Sequence, residues 1–432
     1  MRIACVGGGP SGLYFAVLAA IRSGGRDEIV VHERNPAGRT HGFAVTFGED
    51  LLDEAFRYDP AGGPALRDAA RLWSAQEIRV ADHPAAHVGG KYGYSIARVE
   101  LLDVLARRAQ QLGVRIEYGT TAGRDEVDAD VIVAADGIAS SVREARAEHF
   151  GTTIDEGANR YVWLGAESDS DTFVWDFQRT DAGWVWIHLY PSSNGLSTCI
   201  VECEPETWAG LGLDGAPPAD TVRLVESVFG RTLAGRRIVE PPGGLGEQPW
   251  LRFKEVRNRT WRDGEVVLAG DAAHTTHFGI GSGTVLAMQD SMALADALYG
   301  PGRGGGATGG AATGGGARVD VVDLNDPDGR GAALAAYDAR RRAQVTPVQD
   351  MARRNMHWFE QAGRQLDRVE DPVDFAWSLA DRRGDLGRIH YQLHRATQIP
   401  ALRQVRRGLT TARRVRRAAR RAATGRPEGD GA

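Results

Sequence analysis

The sequence predicts an α/β fold: a doubly wound, Rossmann-like domain with an antiparallel β-sheet domain inserted into it. Three observations point there. A glycine-rich turn sits between a short apolar strand and an apolar helix at the start of the chain. Beyond about residue 151 the texture changes to successive strand-like segments without intervening helices. An apolar run, Val266 to Ala269, then leads into Gly270-Asp271 and a helical pattern, returning the chain to its first domain. The expected boundaries are 1–150 and 255–360 for the discontinuous first domain and 151–254 for the inserted sheet. Residues 361–432 form a helical segment with an Arg-rich tail.

The bulk properties fit this reading. A chain of 432 residues calls for two or three domains. Hydrophobic content of 42% and charge of 25% are ordinary for a globular protein. A net charge of -5 gives no reason to expect a nucleic-acid partner. Residues 401–432 carry ten Arg against Glu428 and Asp430, so this segment sums to +8. Such a run reads as a solvated, frayed tail. Cys5, Cys199 and Cys203 have no C-x-x-C spacing and make no disulfide framework, so a reducing cytoplasm is the expected location. No secretory signal precedes the first strand, and no run approaches the ~20 apolar residues of a membrane span.

Along the chain, Arg2–Val6 reads as a buried strand and Leu13–Ile21 as a helix. Gly7-Gly8-Gly9-Pro10-Ser11-Gly12 between them is a G-x-G-x-x-G turn in the context that gives it meaning. Gly7 permits the tight turn, Gly9 the approach of a pyrophosphate, and Gly12 close packing of helix on strand. A second strand, Ile29–Glu33, ends in an acid 21 residues after Gly12, placed to bond a ribose hydroxyl. Residues 39–48 read as a functional loop, and 59–73 hold a helical pattern. A helix opening at Arg98 ends before Gly113, a natural C′ residue. Strands follow at Val114–Tyr118 and Asp130–Ala135, the latter delivered onto Asp136-Gly137. Tyr161–Ala166, Thr172–Arg179, Trp184–Tyr190 and Ser197–Glu202 are strand-like, and Thr221–Phe229 is helical. Helices are also expected at Val285–Leu298 and from Ala332 toward Glu360. Between them, ten of the 17 residues Gly300–Gly316 are glycine, a flexible insert.

The ordered set of Gly7–Gly12 with Glu33, then Asp136-Gly137, then Gly270-Asp271 resembles the single-component FAD-dependent aromatic hydroxylases. The resemblance covers roughly residues 1–360. It is strongest to the branch holding salicylyl-CoA and 2-aminobenzoyl-CoA hydroxylases and the violacein-pathway monooxygenase. Asn159 to Gly165, Ser197-Thr198, Ile200 to Cys203 and His274 to Thr284 carry that likeness. Phe278 and Val285 replace the Pro and Asn usual in the wider family. Two positions depart from the branch: Phe43 stands where Trp is common, and Pro191-Ser192 follow Tyr190 where CoA-ester members carry Arg and Phe.

The resemblance implies an FAD-dependent monooxygenase acting on an electron-rich aromatic substrate, a phenol, aminoaromatic or indole-like ring, free or as a CoA thioester. NADPH or NADH is the implied reductant and dioxygen the co-substrate. Gly7, Gly9, Pro10, Ser11 and Gly12 would hold the FAD pyrophosphate and Glu33 the adenosine ribose, with Arg34 also at the cofactor. Arg98 would contact the flavin chain and Asp271 the ribityl hydroxyls, while Gly281, Ser282, Gly283 and Thr284 face the flavin ring. Asp136 and Gly137 would contact FAD and help receive the nicotinamide cofactor, which binds transiently because no second fingerprint is visible. His188 and Tyr190, two apart on one strand, share a face and are candidates to take a proton from the substrate; ordinary sheet packing is the alternative. His277 is a third catalytic candidate, and Phe43 and Phe278 are candidates to touch the substrate. His41 is placed near the flavin, and His274 reads as a loop-structuring residue. No metal-ligand cluster is visible. Epoxidation or oxidative rearrangement on the same fold, or a non-catalytic flavoprotein, are the competing readings.

Overall fold

Arg2–Val6 forms the middle of a six-stranded sheet, in the order Arg262–Asp263, Val266–Leu268, Val131–Ala134, Arg2–Val6, Glu28–Glu33, Arg115–Tyr118. Every neighbouring pair is parallel except the Arg262–Asp263 edge hairpin. The computed structural model describes residues 1–301, 324, 326–381 and 388–424, apart from 41, 90, 124, 125 and 169. His41 and most of the Gly-rich insert therefore lie outside the described residues. Parallel strands are covered on both faces and read as unbroken apolar runs; Ile3 to Val6 and Val131 to Ala134 are buried accordingly. The pairing of Val266–Leu268 with Val131–Ala134 returns the late segment to the first sheet. The helices Pro10–Ser23, Arg98–Gln111 and Gly283–Tyr299 pack together on this sheet. Leu112 caps the second of them, and Gly113 follows at φ 86°, a left-handed conformation that glycine enters without steric cost.

The second sheet has seven strands, in the order Ile238–Val239, Arg160–Glu167, Leu196–Cys203, Gly183–Pro191, Thr172–Thr180, Ala75–Val80, Ala86–His87. Its centre is antiparallel. Strand periodicity sorts its side chains onto two faces. Trp184, Trp186, and Tyr190 join an aromatic cluster with Trp175, Phe177 and Phe359. Val185, Ile187 and Leu189 point the other way, into an aliphatic layer closed by Val225 and Phe229. Cys5, Cys199 and Cys203 are buried and unpaired.

The architecture departs from the sequence reading in four places. The sheet is not confined to residues 151–254, because Ala75–Val80 joins it as a parallel neighbour of Thr172–Thr180. The pattern over 59–73 divides into a short helix, Gly63–Ala69, and a strand, Arg71–Trp73. That strand pairs with Gly93–Ala97, whose other neighbour is Ala44–Phe47, inside the segment read as a loop. The Arg-rich segment is not frayed: Pro400–Thr424 is a helix. Arg417 and Arg421 reach Asp53 at 2.6 and 2.7 Å and also pair with Asp50 and Glu49, at the start of the helix Glu49–Tyr58. Acids at a helix start are favoured by the helix dipole, and here they also take ion pairs from arginines that are distant in sequence. Gly408 is carried inside this helix at the modest cost of a helical glycine, about 0.5–1 kcal/mol relative to Ala. No described helix is long and apolar enough to cross a membrane.

Gly12 is the tightest point of the first turn, since a Cβ there would lie 2.0 Å from the Gly7 carbonyl oxygen. Gly12→Ala should cost about 1–3 kcal/mol through overpacking. A lowered melting temperature of the apoprotein is the expected readout, and an unchanged one would contradict this packing.

Candidate functional site

A cavity of about 1470 Å³ is lined by the glycine turn, the Gly270–Ala287 segment and the aromatic face of the second sheet. Three sequence-separated loops meet around it. In the first, Gly7 adopts φ 107° and its Cβ position would lie 2.3 Å from the Ala135 carbonyl oxygen. Gly9 differs: its Cβ would meet only Ala135 oxygen, at 3.9 Å. The fold therefore requires glycine at 7 and 12, while at 9 it leaves space on the cavity side. The helix Pro10–Ser23 starts there with no side-chain cap, so its first N–H groups face an open position.

Glu33 lines the same region and braces the turn. Its Oε2 accepts from Gly8 N at 2.8 Å, and its Oε1 accepts from Asn35 N and Nδ2 at 2.8 and 2.7 Å. A carboxylate has about four acceptor sites, which leaves one for a hydroxyl. Arg34 also lines the cavity. Asp136 Oδ2 accepts from Ser141 N at 2.8 Å, and its Oδ1 is buried without a partner. Gly137, at φ 85°, carries the chain past it. Arg143 ties this loop to the next, donating to Ile138 O at 2.6 Å and Ala272 O at 3.1 Å.

The Gly270-Asp271 loop is held from behind by Asp290, a fully buried acid on the helix Gly283–Tyr299. Asp290 Oδ2 accepts from Gly270 N at 2.9 Å and lies 2.8 Å from His274 Nε2. Its Oδ1 accepts from Arg341 Nε at 2.8 Å. Burial pushes the Asp290 carboxyl up, but the charges of His274 and Arg341 outweigh it and hold it below the usual range. Asp271 is exposed only toward the cavity. Among the described residues nothing donates to its carboxylate. The protein around it pushes its carboxyl above the usual range, opposed by Arg98 and His274. Arg98 donates its backbone N–H to Phe43 O at 2.7 Å, and its Nε is buried without a protein partner. Gly281, at φ 63°, and Ser282 lead into Gly283 and Thr284, the uncapped start of the helix Gly283–Tyr299, and all four line the cavity.

The remaining wall is aromatic. Phe43, Tyr161, Trp163, Phe173, Trp175, His188, Tyr190 and Phe278 line it. Gly165 makes room for Phe43, whose ring would be 2.4 Å from a Cβ there. The His188 ring packs against Trp175, 4.1 Å between centroids and tilted by 48°, and its Nε2 is 3.5 Å from Oε2 of the buried Glu202. The Tyr190 hydroxyl donates to Ala44 O at 3.0 Å, and burial pushes its pKa up. It is engaged as a donor and is not placed to take a proton. His277 does not line the cavity. Its ring packs against Phe253, Phe278 and Phe359, and its Nδ1 accepts from Gly279 N at 3.3 Å. Asp290, Arg341 and Arg143 escaped the sequence reading. Asp290, one of two acids on the apolar helix Gly283–Tyr299, stands amid buried positions and could have been noticed, whereas nothing distinguished Arg341 within Arg340-Arg341-Arg342.

This arrangement suits a dinucleotide such as a flavin: an opening over a glycine turn, the Asp271 carboxylate and Arg98 side chain along one wall, and an aromatic chamber. The comparisons agree. A family model described as an FAD binding domain matches residues 91–323. The salicyloyl-CoA 5-hydroxylase of a Streptomyces species is 34% identical over 404 residues, 90% of this chain and 71% of that protein. The 3-hydroxy-4-methyl-anthranilyl-(aryl-carrier protein) 5-monooxygenase of Streptosporangium sibiricum is 39% identical over 365 residues, 83% of this chain and 89% of that protein. The solved structure of p-nitrophenol 4-monooxygenase from Pseudomonas putida shares the fold, with TM-score 0.62 at 19% identity over 94% of this chain and 97% of that one. The chain belongs to the FAD-dependent aromatic monooxygenases. The residues present fit FAD: Gly9 leaves an opening, Arg98 Nε and Ser11 Oγ are buried without a hydrogen-bond partner among the described residues, and the Asp271 carboxylate lines the cavity.

Two outcomes follow from the carboxylates. Desolvation by the surrounding protein pushes the Asp271 carboxyl up, so its ionisation opposes apoprotein stability as pH rises, by an amount that water in the open cavity reduces. Asp271→Asn should raise the apoprotein melting temperature at pH 7 while reducing the flavin retained on purification. Native Asp290 titrates below its unfolded value, so its contribution is full above about pH 4 and fades as pH falls through the native value. Asp290→Ala should cost about 3–5 kcal/mol at neutral pH by stranding the Arg341 charge. Its deficit against the wild type should shrink in acid, as measured by denaturant unfolding.

Proposed function

We propose that this monooxygenase hydroxylates an electron-rich ring, bearing a hydroxyl or amino group, that lies in the aromatic chamber against His188. The ring is free or tethered as a thioester. Salicyloyl-CoA 5-hydroxylase acts on a ring joined to coenzyme A, and the anthranilyl relative on one joined to an aryl-carrier protein. NADPH or NADH is the transient reductant and dioxygen the co-substrate.

The single observation that supports the substrate reading is His188, a basic side chain set in an otherwise aromatic wall. Trp175 fixes its ring plane, and Phe278 lies 5.5 Å away on the side of the flavin loop. The surrounding rings favour a flat substrate and exclude water from it. FAD, when bound, supplies electron storage and the activation of dioxygen. Arg98 and Asp271 would hold it, and the helix start at Gly283 would favour negative charge on it. His188 then accepts the proton of the substrate hydroxyl or amine, raising electron density on the carbon that receives oxygen. Tyr190 and Phe43 shape the chamber, and the Tyr190 hydroxyl fixes the Ala44 backbone at its edge.

A screen of phenols and aminoaromatics, free and as coenzyme A thioesters, should find rings that stimulate NADPH or NADH oxidation and gain one oxygen by mass. His188→Asn should lower kcat on such a ring by about 10²–10⁴-fold, the usual contribution of a general base, at unchanged flavin content. Full activity in that variant would overturn the role given to His188.

A further inference from the structure

We propose that Glu202 is a positioning residue for proton transfer: it holds Nε2 of His188 protonated, so that Nδ1 is the basic nitrogen, and it stabilises the imidazolium that forms. The inference rests on the reading of His188 as the group that takes the substrate proton.

The strands Gly183–Pro191 and Leu196–Cys203 pair with Trp186 opposite Glu202 and His188 opposite Ile200. Glu202 is thus the diagonal neighbour of His188 on one sheet face, within reach of a long side chain. It is 1% exposed. Asn159 Nδ2 donates to its Oε1 at 2.8 Å and Trp186 Nε1 to its Oε2 at 3.0 Å. Both donors are neutral N–H groups, so they orient the carboxylate without cancelling its charge. Oε2, the oxygen held by Trp186, is the one 3.5 Å from His188 Nε2, an ion-pair contact longer than a hydrogen bond. An acid buried beside a histidine and otherwise bonded to neutral donors favours the tautomer with the proton on the facing nitrogen.

The other ionisable groups around this carboxylate come from four elements. His188 faces it from its own sheet, Tyr161 from the strand Arg160–Glu167, His277 from the flavin loop, and Glu360 from the end of the helix Pro327–Phe359. Burial pushes the Glu202 carboxyl up, opposed by His277 and by the Asn159 and Trp186 hydrogen bonds, with Glu360 adding to the push. The step itself is a proton transfer. The substrate O–H bond breaks, its electron pair stays on the substrate oxygen, and an N–H bond forms at Nδ1. The imidazolium then presents Nε2–H to Glu202.

The test reads ionisation of a bound phenol on the holoenzyme, with 4-nitrophenol as probe because its phenolate absorbs in the visible. In the wild type, the apparent pKa of the bound probe should fall below its free value. Glu202→Gln should raise it back by about one unit, a tenfold change in ionisation. Glu202→Asp, which keeps the charge, should retain most of the fall and carries the test if the Gln variant fails to keep flavin. A shift lost in His188→Asn but intact in both Glu202 variants would overturn the role of Glu202 alone. No spectral shift in the wild type would remove the reading of His188, and this one with it.

Discussion

Asp290 is the constraint on which the site depends. One buried carboxylate accepts from the Gly270 backbone, faces the His274 ring and takes the Arg341 guanidinium. It thereby joins the end of a sheet strand, the cofactor loop, the helix that follows and the long helix Pro327–Phe359. The loop carries internal turns of its own, such as His274 N to Gly270 O and Gly281 N to Phe278 O, and this anchor acts with Arg143, Asn258 and Gln349 to fix those turns against the rest of the fold. With the loop fixed, Asp271 must face the cavity although its environment resists ionisation. Stability is concentrated in one carboxylate and withheld from the next, as expected where a site is organised for an absent ligand group rather than for the fold.

The inserted sheet contributes a second kind of order. Strand alternation places Trp184, Trp186, His188 and Tyr190 on one face and Val185, Ile187 and Leu189 on the other. The aliphatic face is closed by the helix Pro218–Val228. The aromatic face divides its work: part packs against Phe359 and Phe375, and part forms the chamber wall. The long helix Pro327–Phe359 therefore serves both ends of the site, through Arg341 behind the cofactor loop and Phe359 behind the substrate wall.

Much of this was legible in the sequence because the relevant constraints are local. A Gly12 Cβ would strike its own turn, and the strand and helix on either side are continuous apolar runs. The two faces of Trp184–Tyr190 follow from period-two spacing. Asn159 and Glu202 stood within the segments that carried the family likeness, and the structure joins them by a hydrogen bond. What was hidden depends on distant partners. Ala75–Val80 joins the second sheet because of a neighbour nearly a hundred residues away, and Arg341 meets Asp290 across 51 positions. Arg417 and Arg421 find acids at the start of Glu49–Tyr58, so a run that reads as a solvated tail is a docked helix. His277 and Phe278 are adjacent, yet only Phe278 faces the cavity, because the 3-10 turn Phe278–Ile280 turns the histidine toward Asn355.

The account stands on oxygen insertion into an aromatic ring at an FAD site. Turnover under isotopically labelled dioxygen tests it most directly. The product should carry one labelled oxygen on the ring, with reductant consumption matched to product. Label found only in peroxide, or ring oxygen drawn from water, would contradict it.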